Sequence, residues 1–330
     1  MIPNQWYAVL ESKEVPAGKP VGVTRLGEKL VFWRTSTREV ACARDFCAHR
    51  GAALSLGKVQ GDHVACPFHA LEYDPSGACR LIPANGRSAP VPPNFRVQVF
   101  PVREAHHLIW VWYGAPRAEY PTLPFVPDID DSFAYSTFPS RWGVHYSRCI
   151  ENQLDSAHVP FVHYNTIGRG HRTTIDGPIV RWEGDRLLIW TYARPEDGSL
   201  ARKAEEMSPP DGLPRLTFTF PNVWQNYLAD DVRIVLLFTP IDEENTLVYT
   251  RFYHRVMRIP GLRQLISWSG RYFSRVIALQ DRRVVNTQRP KKTALRMGEN
   301  LFQADRPIVE YRRRREELMA ASREPAKDKV

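Results

Sequence analysis

Long apolar stretches are missing from this sequence. The longest uninterrupted one, Leu108 to Tyr113, has six residues, whereas a helix needs about 20 apolar residues to cross a bilayer. The N-terminal residues MIPNQWYAVL also lack the charged and apolar segments of a secretory leader. We therefore expect a cytoplasmic protein without a membrane span.

Cysteine is scarce, and dinucleotide-binding signatures are absent. The 330 residues include five cysteines, an odd number that argues against a disulfide framework and makes metal binding the better question. No G-x-G-x-x-G sequence follows a strand candidate, so the chain has no fingerprint for a flavin or a nicotinamide. A redox cofactor of that kind is not expected in this chain.

Signatures of zinc fingers, RRM domains and helix-turn-helix domains are also absent, although the net charge is +9. Much of the positive excess lies late, in Lys291, Lys292 and residues 312–315. Glu316 and Glu317 follow that run directly, and the mixture is typical of a solvated terminal helix. We therefore predict no nucleic-acid partner.

The composition, 43% hydrophobic and 25% charged, is that of a globular protein, and a chain of this length suggests about two domains. Up to about Tyr113, short alternating segments are separated by turn clusters such as residues 74–77, a pattern typical of an all-β domain. A proline-rich stretch suited to a linker begins at Pro116. We predict an all-β domain at residues 1–115 and a second domain at residues 116–330.

The second domain mixes helices with strands, which makes the predicted fold class α+β. A helix candidate at 144–162 precedes strand candidates at 179–182, 186–192, 216–220, 233–238 and 246–254. The acidic turn at 242–245 joins the last two, so the predicted sheet is antiparallel. The segment 262–288 repeats apolar residues at helical spacing, and we expect it to lay one face on that sheet.

Two loops of the first domain each pair one cysteine with one histidine. Cys47-x-His49 is followed after sixteen residues by Cys66-x-x-His69. Two thiolates and two imidazoles are also the ligands of a structural zinc finger, so the residue types alone leave zinc open. A zinc finger groups its cysteines first and its histidines second, whereas here each loop of a β domain contributes one of each.

This arrangement resembles the Rieske [2Fe–2S] centre, in which two cysteines hold one iron and two histidines hold the other. The flanking residues 50–52 and 71–74 resemble the loops of Rieske oxygenases. Ala48 departs from the family, where proline is common, but its position is not a ligand position. The resemblance implies that the [2Fe–2S] cluster is bound by Cys47, His49, Cys66 and His69.

A second candidate metal site lies in the helix candidate, where Asp155, His158 and His163 form the pattern D-x2-H-x4-H. Two histidines and a carboxylate on one face of an octahedron are the facial triad of non-haem Fe(II) oxygenases. On a regular helix, five residues would set the two imidazoles roughly 140° apart. Pro160 lies between them, and we predict that it distorts the helix and turns His163 toward His158.

Over nearly its whole length, the sequence resembles the oxygenase (alpha) subunit of the Rieske non-haem iron oxygenases. It is most similar to the group of the vanillate and dicamba O-demethylases and the pheophorbide a or chlorophyllide oxygenases. The resemblance implies a C-terminal helix-grip domain that binds iron through His158 and His163. The third ligand is expected on a late helix, where Asp281 is the only carboxylate between residues 262 and 288.

The resemblance also implies a role for Asp155 that is not metal ligation. In the family, the matching aspartate forms hydrogen bonds with a Rieske histidine of a neighbouring subunit and with an iron-bound histidine of its own. Asp155 is accordingly expected to link His69 of the adjacent chain to His158 or His163, fixing an imidazole through its second nitrogen. Asn152 is expected close to the iron.

The implied function is that of the oxygenase component of a monooxygenase, which hydroxylates or oxidatively demethylates an aromatic or polycyclic small molecule. The reaction would need O2, a Rieske [2Fe–2S] cluster, a mononuclear Fe(II) and electrons from a separate NAD(P)H-dependent reductase or ferredoxin. The resemblance implies a homotrimer. A ring-cis-dihydroxylating dioxygenase, a Rieske electron-transfer protein without oxygenase activity and a ligand-sequestering module remain as alternatives.

Overall fold

Two structural units divide the chain in the computed structural model, which describes residues 1–209, 214–257 and 259–322. The first unit comprises Pro3–Leu123, and the second begins at Pro124. The predicted boundary at residue 116 lies in the proline-rich stretch shortly before this division. Within the described ranges, no helix is long and apolar enough to cross a membrane.

The first unit is built from ten strands in three antiparallel sheets, with the orders β1-β10-β9, β2-β3-β4 and β5-β6-β7-β8. The strands are β1 (Gln5–Glu11), β2 (Val21–Arg25), β3 (Glu28–Arg34), β4 (Val40–Arg44), β5 (Lys58–Gln60), β6 (His63–Ala65), β7 (Glu72–Tyr73), β8 (Cys79–Leu81), β9 (Val102–Ala105) and β10 (Leu108–Tyr113). The all-β first domain is thereby confirmed. Residues 95–100 form no strand, and their β-bridges are the isolated pairs Ala43–Val99 and Ala78–Arg96.

Strand β3 separates two apolar cores of this unit. Because successive side chains of a strand point to opposite faces, Leu30 and Phe32 enter one core, whereas Val31 and Trp33 enter the other. Cys47 and Cys66 belong to the second of these cores. The cysteines of both candidate cluster loops are therefore packed in the interior of this unit.

In its described residues, the second unit is an antiparallel sheet of seven strands in the order β11-β17-β16-β15-β14-β13-β12, with four α-helices. Its elements are β11 (Ala134–Trp142), α1 (Tyr146–Leu154), α2 (Val159–Val162), β12 (Thr174–Glu183), β13 (Arg186–Arg194), β14 (Leu216–Thr219), β15 (Val223–Ala229), β16 (Val232–Pro240), β17 (Thr246–His254), α3 (Pro260–Val285) and α4 (Arg306–Ala321). The predicted α+β class and antiparallel sheet are confirmed. The sequence did not predict β11 and β15.

Strand β11 was missed because Pro139 lies in its middle. Proline has no N–H to donate, so in sheets it is confined to edges and bulges. β11 is the edge strand of this sheet and pairs only with β17, where Pro139 lies opposite Tyr249. The edge position makes the proline compatible with a nine-residue strand.

Helix α3 lies close to β11 and β17 because it carries a glycine at the contact. A Cβ atom on Gly270 would lie 2.2 Å from Cδ1 of Phe252 on β17, so a larger residue would push the helix away from the sheet. Ser267 adds hydrogen bonds at the same contact, since its carbonyl accepts from the Ser136 hydroxyl at 2.7 Å and its hydroxyl lies 2.8 Å from His254 Nε2. This contact fixes the position of α3 on the sheet, and therefore the position of Asp281 on that helix.

The basic run at 312–315 is helical, as predicted, and lies on α4. It is not exposed to solvent along its whole length. Arg312 and Arg315 are buried. The Arg312 guanidinium donates to both carboxylate oxygens of Glu151 on α1, at 2.9 and 2.7 Å, and to Glu299 at 2.6 Å. The expectation of a solvated face is therefore wrong for half of this run, because those two arginines have partners in the interior.

We predict that Arg312→Met destabilises the second unit by about 3–5 kcal/mol, because it leaves the buried Glu151 carboxylate with only the longer 3.5 Å contact to Arg148 among the described residues. The measurement is the shift of the urea unfolding curve. Arg313→Met is the matched control, since Arg313 is exposed and pairs only with Glu310 on the surface, and its cost should stay below about 1 kcal/mol. Equal shifts for the two variants would contradict a stabilising role of the buried pair.

Candidate metal centres

The two cluster loops of the first unit have the same backbone hydrogen-bond pattern. In the first, Cys47 N donates to Ala52 O and Gly51 N donates to Cys47 O, both at 2.9 Å. In the second, Cys66 N donates to Leu71 O at 2.9 Å and Ala70 N donates to Cys66 O at 3.0 Å. Gly51 and Ala70 occupy equivalent places, each with positive φ. Two equivalent turns thus present one cysteine and one histidine each.

The two cysteines and the two histidines of these loops differ in burial. Cys47 and Cys66 are buried, and burial raises the pKa of the Cys66 thiol. His49 and His69 are exposed, and their Nδ1 atoms lie 3.2 Å apart. This donor set fits a [2Fe–2S] group with an inner iron on two thiolates and an outer iron on two imidazoles.

Tyr73, at the end of β7, contacts the first loop in two ways. Its hydroxyl lies 3.2 Å from Cys47 Sγ and accepts a hydrogen bond from Ala48 N at 3.2 Å.

The other three cysteines, Cys42, Cys79 and Cys149, are free and buried. Their free state agrees with the expectation that the chain has no disulfide framework.

In the second unit, the helix predicted at 144–162 is interrupted at Asp155. α1 ends there because the backbone of Asp155 turns to an extended conformation. Asp155 Oδ1 accepts hydrogen bonds from Ala157 N at 2.7 Å and from His158 N at 3.3 Å, which closes the turn. Pro160 does not distort a continuous helix, so that prediction is wrong. It lies in the first turn of α2, where its missing N–H costs nothing.

The break at Asp155 places the two histidines on either side of a short helix. His158 is the residue before α2 and His163 the residue after it. His158 Nε2 lies 3.4 Å and His163 Nε2 lies 3.0 Å from Oδ1 of Asp281 on α3. The structure therefore brings together the three residues that the sequence named as iron ligands.

The spacing of these three donors suits one ion. Neighbouring donors of an octahedral ion, each about 2.1 Å from it, lie about 3 Å apart, and one donor atom from each of the three residues lies within 4.8 Å of the others. Two nitrogens and one carboxylate oxygen fit a facial triad for Fe(II). Asp281 and His163 are buried, whereas His158 is partly exposed.

The electrostatics of the site favour a cation beside Asp281. Burial disfavours the charged form of Asp281, but hydrogen bonds from His158 and His163 hold the pKa of its carboxyl well below the usual range. Burial lowers the pKa of His158, yet the carboxylates of Asp155 and Asp281 raise it to about 9. Both shifts favour opposite charges on these two side chains.

Three further polar side chains surround the triad. The Asn152 side chain donates to Asp281 Oδ1 at 3.5 Å, and the Gln153 side chain donates to Oδ2 at 3.2 Å. Gln280 Oε1 lies 2.8 Å from His163 Nδ1. The sequence named Asn152 but neither glutamine. No sequence pattern links Gln280 to His163, because the two residues are 117 positions apart.

Two domain families match this chain. The Rieske [2Fe-2S] domain family matches residues 5–101, and the vanillate O-demethylase oxygenase C-terminal domain family matches residues 142–321. The chain belongs to the Rieske non-haem iron oxygenases. Members of this family carry a Rieske [2Fe–2S] cluster and a mononuclear iron.

Individual relatives of this Rieske oxygenase have low sequence identity to it. The toluene-4-sulfonate monooxygenase system iron-sulfur subunit TsaM1 of Comamonas testosteroni is 31% identical over 187 residues, which cover 54% of this chain and 52% of the relative. Methylxanthine N1-demethylase NdmA of Pseudomonas putida is 28% identical, over 97% of this chain and 90% of its own. The solved structure of NdmA has a TM-score of 0.76 at 24% identity and covers 96% of this chain and 91% of the NdmA chain. It therefore shows a shared fold.

We predict that His69→Ala removes the visible absorption and the EPR signal of a Rieske cluster while the second site still binds iron. Conversely, Asp281→Ala should lower the iron content by about one atom per chain and leave the cluster spectrum intact, because each change removes a ligand of one site only.

The two variants are each other's controls, and both are compared by metal analysis and EPR after identical purification. An intact cluster signal in His69→Ala would contradict the first ligand set. Normal iron content in Asp281→Ala would move the third ligand of the second site to another residue.

Proposed function

We propose that this protein is the oxygenase component of a Rieske non-haem iron monooxygenase that hydroxylates or oxidatively demethylates an aromatic or polycyclic small molecule. The observation that supports this most directly is the triad, with His158 Nε2 and His163 Nε2 at 3.4 and 3.0 Å from Asp281 Oδ1. His158, His163 and Asp281 would hold Fe(II) with two imidazoles and one carboxylate, a ligand set that would leave positions for dioxygen and substrate.

When bound, the mononuclear iron supplies the activation of dioxygen, and the [2Fe–2S] group supplies electrons one at a time. The residues of this chain hold and orient these groups. Asn152 and Gln153 donate to Asp281 through their side-chain amides and fix the orientation of its carboxylate. Asp155 keeps its second carboxylate oxygen 3.8 Å from His158 Nδ1.

The family relatives support demethylation or hydroxylation over other reaction types. TsaM1 is named a monooxygenase subunit, NdmA is named an N1-demethylase, and the matching C-terminal family is named after vanillate O-demethylase. Hydroxylation of an N- or O-methyl carbon gives a product that collapses to the demethylated compound, so one chemistry covers both names. Product analysis separates this reaction from ring cis-dihydroxylation, which yields a diol.

The electron donor in this proposal is a separate NAD(P)H-dependent reductase or a ferredoxin in the cytoplasm, because the sequence has no dinucleotide fingerprint. The experiment that tests the function is oxygen uptake with a surrogate reductase and a panel of methoxylated and N-methylated aromatic compounds. Substrate-dependent uptake is expected, with about three irons per chain. About two irons and no uptake would instead indicate a Rieske electron carrier.

The proposed assembly is a homotrimer in which each chain supplies a cluster to its neighbour, a closed head-to-tail arrangement. Asp155 is the proposed junction between His69 of a neighbouring subunit and His158. It combines two properties that this role needs, a side chain that is not fully buried and a carboxylate oxygen left over from the local turn.

We predict that Asp155→Asn lowers turnover about 10- to 100-fold, the effect expected when the partner of a metal-bound histidine is altered. Asparagine retains an oxygen for Ala157 N and His158 N, so the turn should persist and both metals should remain bound. Only the negative charge is removed.

The measurements are oxygen uptake, metal content and light scattering, with Asp131→Asn as a control, because Asp131 is an exposed carboxylate on the surface. Full activity of Asp155→Asn would contradict the junction. A fully active monomer in dilute solution would contradict the trimer.

A further inference from the structure

The ring of His163 is buried, and its two nitrogens have different partners. Nε2 lies 3.0 Å from Asp281 Oδ1, on the side where a metal would bind. Nδ1 lies 2.8 Å from Gln280 Oε1, on the opposite side. Since a neutral imidazole carries a hydrogen on only one nitrogen, the partner of Nδ1 decides whether Nε2 has a free lone pair.

The Gln280 amide is held in one orientation by two further contacts. Its Oε1 also accepts a hydrogen bond from the Thr166 hydroxyl at 3.0 Å, and its Nε2 donates to Asn165 Oδ1 at 2.7 Å. With the oxygen directed at His163, Nδ1 must carry a hydrogen, so a neutral ring that binds a metal would do so through Nε2. The same amide therefore ties the residues after α2 to helix α3.

The other histidine of the triad has no such partner. His158 Nδ1 is buried and makes no hydrogen bond with any residue that the structure describes, and the nearest carboxylate oxygen, that of Asp155, is 3.8 Å away. At that distance the two groups attract each other but do not share a hydrogen bond. Within one chain, only His163 is fixed through its outer nitrogen.

We propose that Gln280 is the positioning residue for His163, holding the ring in the Nδ1–H form so that Nε2 is ready to bind the mononuclear metal. This inference rests on the proposed function of the triad. Because Gln280 directly precedes Asp281, one turn of α3 supplies both a ligand and the acceptor that orients a second ligand from a different segment. The amide is neutral, so it orients the ring without adding charge to the site.

The test compares Gln280→Leu with the wild-type protein, both with the Rieske cluster in place and the second site emptied by a chelator. Leucine is close to glutamine in size but neither donates nor accepts. Anaerobic titration with Fe(II) alone should show a 10- to 100-fold weaker affinity, the loss expected when the partner of a metal-bound histidine is removed.

A second readout reports the Nδ1–H hydrogen bond directly and would not move if Gln280 only supported the helix. In the wild-type protein loaded with Zn(II), NMR of the histidine rings should show a slowly exchanging His163 Nδ1–H, because this hydrogen is bonded to Gln280. Gln280→Leu should lose the slow exchange, and Gln280→Glu, which keeps an oxygen acceptor, should restore it. Gln264→Leu, an exposed glutamine on the same helix, should leave both readouts unchanged.

The outcomes separate this inference from the proposed function. Wild-type affinity together with an unchanged Nδ1–H signal in Gln280→Leu would overturn the role of Gln280 while leaving the triad intact. A wild-type protein that binds no Fe(II) at the second site would instead overturn the triad. If Gln280→Leu does not fold, Gln280→Glu decides, since loss of the slowly exchanging Nδ1–H in a variant that keeps the acceptor contradicts the proposal.

Discussion

The turn closed by Asp155 is the local constraint on which the second metal centre depends. Its carboxylate accepts hydrogen bonds from the backbone amides of Ala157 and His158. The turn ends α1 and precedes α2. Without this turn, the two histidines would lie roughly 140° apart around one helix axis and could not bind one ion. With it, they flank a helix of four residues, and both rings reach Asp281.

Two contacts between residues far apart in the chain also position the second metal centre. Gly270 lets α3 lie directly against Phe252, and this sets the path along which Asp281 reaches the histidines. Glu151 on α1 is tied to Arg312 on α4 by two hydrogen bonds in the interior. Since Glu151 directly precedes Asn152 and Gln153, the same ion pair fixes the turn of α1 that donates to Asp281.

The sequence could predict those parts of the protein that are encoded locally. The cysteine–histidine pair of each cluster loop, the D-x2-H-x4-H pattern and the single carboxylate of the late helix are visible in the sequence, and the resemblance to the Rieske oxygenases implies their roles as ligands. The position of the helix break was not visible, because Asp155 can end a helix or lie within one, and only the hydrogen bonds to the next residues distinguish the two. Pro160 was the more visible signal and the wrong one.

Contacts between residues far apart in the chain were outside the reach of sequence patterns. Gln153 and Asp281 are separated by 128 positions, and His163 and Gln280 by 117, so no periodicity connects them. Similarly, a run of arginines is typical of a solvated surface, and only the tertiary fold shows that Arg312 points at a buried glutamate. The edge position of β11, which makes Pro139 compatible with a strand, is likewise a property of the sheet.

The second centre is held by contacts that do not involve a metal, in contrast to a zinc finger, whose fold depends on its ion. α1 is anchored through Glu151, α3 through Gly270, and the residue after α2 through Gln280. The buried Asp281 carboxylate still needs positive neighbours, and hydrogen bonds from His158 and His163 hold the pKa of its carboxyl well below the usual range. A metal bound here would add its binding energy to the stability of an already folded unit.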